Sequence, residues 1–208
     1  MGESGRKLTK AEEKRLAAFK IKLIQMVEKD YRKVDLTTSV VAANTLGVLY
    51  GILLCIPFAV VFVLLHDFPF EVQGVSDFLL FWGAFFILIV VHELIHGLTW
   101  SRFTEHGLKD IEFGVIWRML TPYCTCKEPL KKIPYMLGAG MPCLVLGILP
   151  CIISWITGSG WLLGIGLLMI LGAGGDLLIL VMILRGKFND TALFLDHPTE
   201  VGLVVFEK

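Results

Sequence analysis

Four stretches of this chain are long and apolar enough to span a bilayer: Ala43–Leu65, Phe78–Trp100, Ile133–Ile156 and Gly160–Leu184. Crossing the hydrocarbon takes about 20 mostly apolar residues. Inside it every backbone N–H and C=O needs an internal partner, which leaves the helix as the form for separate runs of this length. Composition agrees. Of 208 residues, 55% are hydrophobic and 18% charged, against an apolar share of about 45–50% in soluble domains, and the mean hydropathy is +0.73. The chain therefore reads as an all-α polytopic membrane protein. Its single four-helix transmembrane domain covers residues 43–184, after an N-terminal segment, 1–42, and before a C-terminal tail, 185–208. No run resembles a cleavable signal peptide, because the largely polar first ~40 residues precede a run long enough to span.

The basic residues orient these helices. Ten Lys and Arg precede the first run, six lie between the second and third, and three follow the fourth, which accounts for all nineteen. The loops "HDFPFEVQGVSD" and "TGS" have none. Cytoplasmic loops collect Lys and Arg, so both termini and the long middle loop are expected in the cytoplasm. The zero net charge hides this sidedness and gives no reason to expect nucleic-acid binding. The five cysteines (Cys55, Cys124, Cys126, Cys143, Cys151) show no secreted disulfide spacing.

Outside the spans, Leu8–Val34 reads as an amphipathic helix, with Leu16, Phe19, Leu23, Met26 and Val27 at helical spacing among lysines and glutamates. It suits either an interfacial helix on an anionic leaflet or a solvated juxtamembrane helix. In the middle loop, Ile111, Phe113, Val115, Trp117 and Met119 alternate with other residues. That pattern predicts a strand, in a short β-hairpin, ended by Pro122. Its edge could hold an extended peptide by strand addition, or the hairpin could be purely structural.

The second run contains "HELIH". His92 and His96 are four apart, so on a helix they share a face and can grip one metal ion, with Glu93 beside it. This is the H-E-x-x-H pattern of zinc hydrolases, two histidine ligands and a glutamate general base. With 5 His and 11 Glu in the chain, a shuffled sequence would hold about 0.006 copies. A catalytic zinc takes a third protein ligand, and Asp176 is the candidate. It lies eight residues before the end of the fourth run, as His92 does before the end of the second. At 1.5 Å per residue, both sit about 12 Å in from the same side. Charged groups at such depth cost about 2.5–3.5 kcal/mol and usually face an interior partner. Gly172, Gly174 and Gly175, in "LGAGGD", either loosen the helix around Asp176 or serve close helix packing.

With these residues in place the chain resembles the site-2 proteases, intramembrane zinc metalloproteases that cut membrane-embedded or membrane-proximal peptides. It is more similar still to a small family of bacterial zincin peptidases related to them. "TPYCTCKEPL", "GAGGD" and "DHPTEVG" carry that second likeness, which covers most of Val75–Phe206. The resemblance implies a bacterial cell membrane, His92, His96 and Asp176 as zinc ligands, and Glu93 as base. It implies membrane-protein or peptide substrates, and leaves oligomeric state open. One departure stands out: the Asn- and Pro-containing motif that many site-2 proteases carry before the aspartate is replaced here by glycines.

Other features are weaker. Cys124 and Cys126 could hold a soft metal, though one C-x-C alone is more often structural. His197 could approach the site or simply occupy a turn before Pro198. Asn44 could hydrogen-bond between helices, and Pro142 and Pro150 are expected to kink the third span. Two other function classes remain open. One is a non-catalytic zinc-binding scaffold or regulator, which would want four ligands. The other is a metal transporter, which would want further polar groups in the outer halves of the spans. Histidines four apart on one helix cannot serve opposite faces of one haem.

Overall fold

The computed structural model describes residues 9–66, 74–116 and 121–208. Among the described residues three helices are long and apolar enough to cross a membrane. The first is α2 (Val40–Leu65) and the second α3 (Val75–Trp100). The third is a continuous run over Lys132–Thr157, built from α4 (Lys132–Pro142), a π-helical stretch (Cys143–Ile148) and α5 (Leu149–Thr157). A bent pair, α6 (Gly160–Gly172) and α7 (Gly174–Arg185), meets at 54° and makes up to four spans. The outer faces of α2 and α3 expose Ile52, Ile56, Val60, Leu79, Phe86 and Ile87. Faces this apolar suit lipid better than water. The π-helical stretch lies between Pro142 and Pro150, the two residues expected to disturb this span.

The fourth run is not one helix. α6 ends at Gly172, Ala173 forms the joint, and α7 restarts at Gly174. The glycines serve both purposes considered for them. A Cβ on Gly174 would lie 2.6 Å from the Gly47 carbonyl oxygen, so α7 rests directly on α2 there. Gly172 and Gly175 face open space, where nothing would meet a Cβ within 4 Å. Asn44 is exposed on α2.

The protein is not purely all-α, which corrects the expectation from sequence. A four-stranded antiparallel sheet has the order β1-β6-β5-β4, from β1 (Arg32–Thr38), β6 (Val201–Glu207), β5 (Leu193–Asp196) and β4 (Leu130–Lys131). It joins the segment before α2 to the C-terminal tail, with Arg32 opposite Glu207 and Thr38 opposite Val201. In β6, Leu203, Val204, Val205 and Phe206 are all fully buried, because the strand is covered on both faces. Leu203 and Val205 pack on the helix ends, with Trp100, Tyr135 and Ile183. Val204 and Phe206 pack on α1 (Lys10–Glu28), with Phe19 and Met26.

Helix α1 is therefore the outer cover of the sheet. Its Leu16/Phe19/Leu23/Met26 face, considered above for lipid, is spent on β6 and β5. Val27 falls off that stripe and is 61% exposed. Thr9 caps α1, in a reciprocal box with Glu12, a device worth about 1 kcal/mol. The helix ends at Glu28 rather than continuing to Val34. Asp30 takes a left-handed backbone (φ 62°), and the chain turns into β1.

The expected hairpin exists as a separate two-stranded sheet, β2 (Ile111–Ile116) with β3 (Thr121–Cys126). Pro122 does not end it; it pairs with Val115 inside β3. An edge strand tolerates proline where its missing N–H would point away from the ladder. Trp117 and Met119 of the expected strand lie outside the described residues, as does Leu8.

Candidate metal centre

On α3 the spacing of four puts His92 and His96 on one face, with ring centroids 4.7 Å apart. Both are buried, at 8% and 4% exposure. Their Nε2 atoms are 3.0 Å apart. Asp176 enters from the first turn of α7, just past the helix joint. Its Oδ2 lies 3.1 Å from His92 Nε2 and its Oδ1 3.4 Å from His96 Nε2. One ligand atom from each of the three residues lies within 4.8 Å of the others. The structure thus brings together the three groups that motif and depth had singled out.

The donor set fits a metal. Nδ1–H of His96 donates to the Gly138 carbonyl at 2.8 Å, since a carbonyl can only accept. That commits the ring proton to Nδ1 and leaves Nε2 of the neutral ring as a lone pair facing His92 and Asp176. Two imidazole nitrogens and a carboxylate gathered in a buried place could hold a metal ion. Two histidines and one carboxylate are a ligand set that catalytic zinc uses. Outer partners such as Gly138 fix ligand tautomer and ring orientation.

Gly138 can approach because it lacks a side chain: a Cβ there would fall 1.9 Å from Trp100 Nε1. Trp100 stacks on His96 at 5.1 Å and 15°, and its Nε1–H donates to the Tyr135 carbonyl at 3.1 Å. The same helix face, read one turn on from His96, thus supplies a wall for the ligand. Glu93 lies between the histidine pair and β3, with its carboxylate near the backbone N–H of Cys124. It lies outside the three-residue ligand group while staying within electrostatic range of His92, His96 and Asp176.

The other candidates lie elsewhere. His197 Nδ1 accepts the backbone N–H groups of Glu200 (2.9 Å) and Thr199 (3.4 Å), and its ring meets Phe19 edge-on at 5.0 Å. It is a turn residue under α1. Burial pushes the Cys124 thiol up, helped by Glu93, and raises Cys126 to about 12. Neither belongs to the three-residue group that could hold a metal ion among the described residues. Sequence reasoning missed Gly138, Trp100 and Tyr135. Trp100 was visible four residues after His96, on the same face; the Gly138 carbonyl has no sequence signature.

A family model described as "putative zincin peptidase" matches residues 85–190, 106 of the 208, a span that includes His92, His96 and Asp176. No curated protein and no solved structure matches. With more than half its length inside that model, the chain belongs to the family described as "putative zincin peptidase".

Proposed function

We propose that this protein is an intramembrane zinc metallopeptidase of the site-2-protease type, cutting membrane-embedded or membrane-proximal peptides. What carries the reading is the meeting of His92, His96 and Asp176 in apolar surroundings, with a carboxylate, Glu93, beside the group and not in it. A scaffold site needs no such base. His92, His96 and Asp176 would hold the ion. Bound there, zinc would supply Lewis acidity, bringing the pKa of a water towards ~7 and polarising a carbonyl.

The chain's own residues do the rest. His96 presents Nε2 because Gly138 holds its Nδ1 proton. Asp176 offers one oxygen to each histidine side. Glu93 takes the proton from the attacking water and returns it to the leaving amine, a role worth about 10²–10⁴-fold in rate. The Cys124 N–H keeps that carboxylate aimed from the β3 side. Among the described residues β3 pairs only with β2, but its outward N–H groups are already engaged, Cys124 towards Glu93 and Cys126 on Asp196, so this edge holds the base rather than an added strand. A substrate helix must unwind first, since its carbonyls are already bonded. The distribution of Lys and Arg puts both termini and the site's opening on the cytoplasmic side.

The test is cleavage of candidate single-span substrates by detergent-purified protein, beside its zinc content. Glu93→Gln should keep zinc and lose cleavage by about 100-fold or more. Equal cleavage by both proteins refutes the reading, and so does a wild type that retains no zinc.

A further inference from the structure

Asp196 lies beyond the matched residues, at the end of β5, and is partly buried. Three donors converge on its carboxylate. The Tyr135 hydroxyl donates to Oδ1. The Thr125 hydroxyl and the Cys126 N–H donate to Oδ2, at 3.0 Å and 3.3 Å. These donors come from different places. Tyr135 belongs to α4, Thr125 and Cys126 to β3. One carboxylate therefore ties the start of the third span to the hairpin.

Each tie leads to a different part of the metal centre. Tyr135 sits three residues before Gly138 on α4, and Gly138 takes the His96 Nδ1 proton. The Tyr135 carbonyl also accepts from Trp100, whose ring lies flat on His96. Where Tyr135 stands thus sets the orientation of His96 from two sides. On the other arm, Cys126 is two residues from Cys124 along β3, and the Cys124 N–H faces Glu93. Successive alternate residues of a strand aim their N–H groups the same way, so fixing the Cys126 N–H on Asp196 also fixes the line of the Cys124 N–H.

We infer that Asp196 is a positioning residue that sets the ligand His96 through Tyr135 and the base Glu93 through β3. The inference rests on the peptidase reading for the identity of the site. Its chemistry is that of a carboxylate behind a metal ligand, where losing the outer partner typically costs 10–100-fold in metal affinity. Here the carboxylate acts through a tyrosine and a backbone carbonyl, and the same group also serves the base.

The two arms make the role separable from simple stability. Asp196→Asn keeps the volume but offers one acceptor oxygen to three donors. Tyr135→Phe cuts only the α4 arm, and Thr125→Val weakens only the β3 arm. We would measure zinc affinity by chelator competition, the visible spectrum of the cobalt(II)-loaded protein, and amide exchange of the β3 peptide, alongside apparent Tm. Asp196→Asn should weaken zinc by about 10–100-fold, shift the cobalt spectrum and speed β3 exchange. Tyr135→Phe should move the zinc affinity and spectrum but not β3 exchange; Thr125→Val should do the reverse. Wild-type zinc affinity and spectrum in Asp196→Asn overturn the proposal, whatever its Tm. If Asp196→Asn does not fold, the single-arm variants decide, and equal responses of both readouts in both variants overturn it. None of these readouts needs proteolysis. An inactive wild type with the expected metal pattern counts against the peptidase reading and leaves this proposal standing.

Discussion

Gly174→Ala is a one-carbon change with a large expected effect. The new Cβ would lie 2.6 Å from the Gly47 carbonyl oxygen and 2.7 Å from its carbon, where ordinary contact begins at 3.4 Å. The overlap is about 0.8 Å against backbone on both sides, which no rotamer change relieves. α7 must move away from α2 by roughly that amount, and such overpacking costs about 1–3 kcal/mol. Asp176 is two residues further along the same helix, so its carboxylate moves with α7. Metal–ligand distances hold to about 0.2 Å, so the displacement is several times what the centre tolerates. Gly172→Ala is the control on the other side of the joint. It meets nothing within 4 Å and should be neutral, or stabilising by about 0.5–1 kcal/mol through helix propensity. Both variants would be purified in detergent and compared by apparent Tm and by zinc competition with a chelator. The expectation is a lowered Tm and weaker zinc for Gly174→Ala alone. Equal zinc affinity and Tm in the two variants would show that the α2–α7 contact does not set the position of Asp176.

Gly138→Ala should displace Trp100 and disturb His96, weakening zinc by about tenfold or more; an unchanged affinity would remove Gly138 from the site's support. Zinc at 100 times its Kd should add about 2.7 kcal/mol of stability to the wild type, and Asp176→Ala should lose most of that gain, read as the zinc-dependent rise in Tm. His197 gives a pH dependence. Burial lowers its imidazole below the ordinary 6.5, so the folded state resists the proton that the unfolded chain accepts. Stability from this group is present above 6.5 and falls as pH drops through 6.5 towards the folded pKa. Protonation also removes the Nδ1 acceptor of the turn under α1. His197→Asn should flatten this acid loss, measured as Tm against pH between 7 and 5 relative to wild type.

The cluster of His92, His96 and Asp176 was legible because each member broke a pattern. His92, His96 and Asp176 are polar where the periodicity of a span demands hydrocarbon, and a count of residues to each helix end matched their depths. The helix joint at Ala173 was half legible. "GAGG" signals a weak helix, but the apolar run continues through it, and hydropathy does not register a 54° bend. The sheet was hidden for a different reason. Strands β1 and β6 pair across the whole chain, Arg32 with Glu207, and nothing local to either segment announces the other. β1 carries charged residues at its start, so it extended the helical pattern of α1 in the sequence. The apolar run "VGLVVFE" was the one available signal, because a strand that apolar must be covered on both faces. In the fold those covers are α1 and the helix ends beneath Trp100, and the strand beside it, β5, carries Asp196. The residues that identify the chemistry thus stand out singly, whereas those that hold it in place become visible only when the two ends of the chain meet in one sheet.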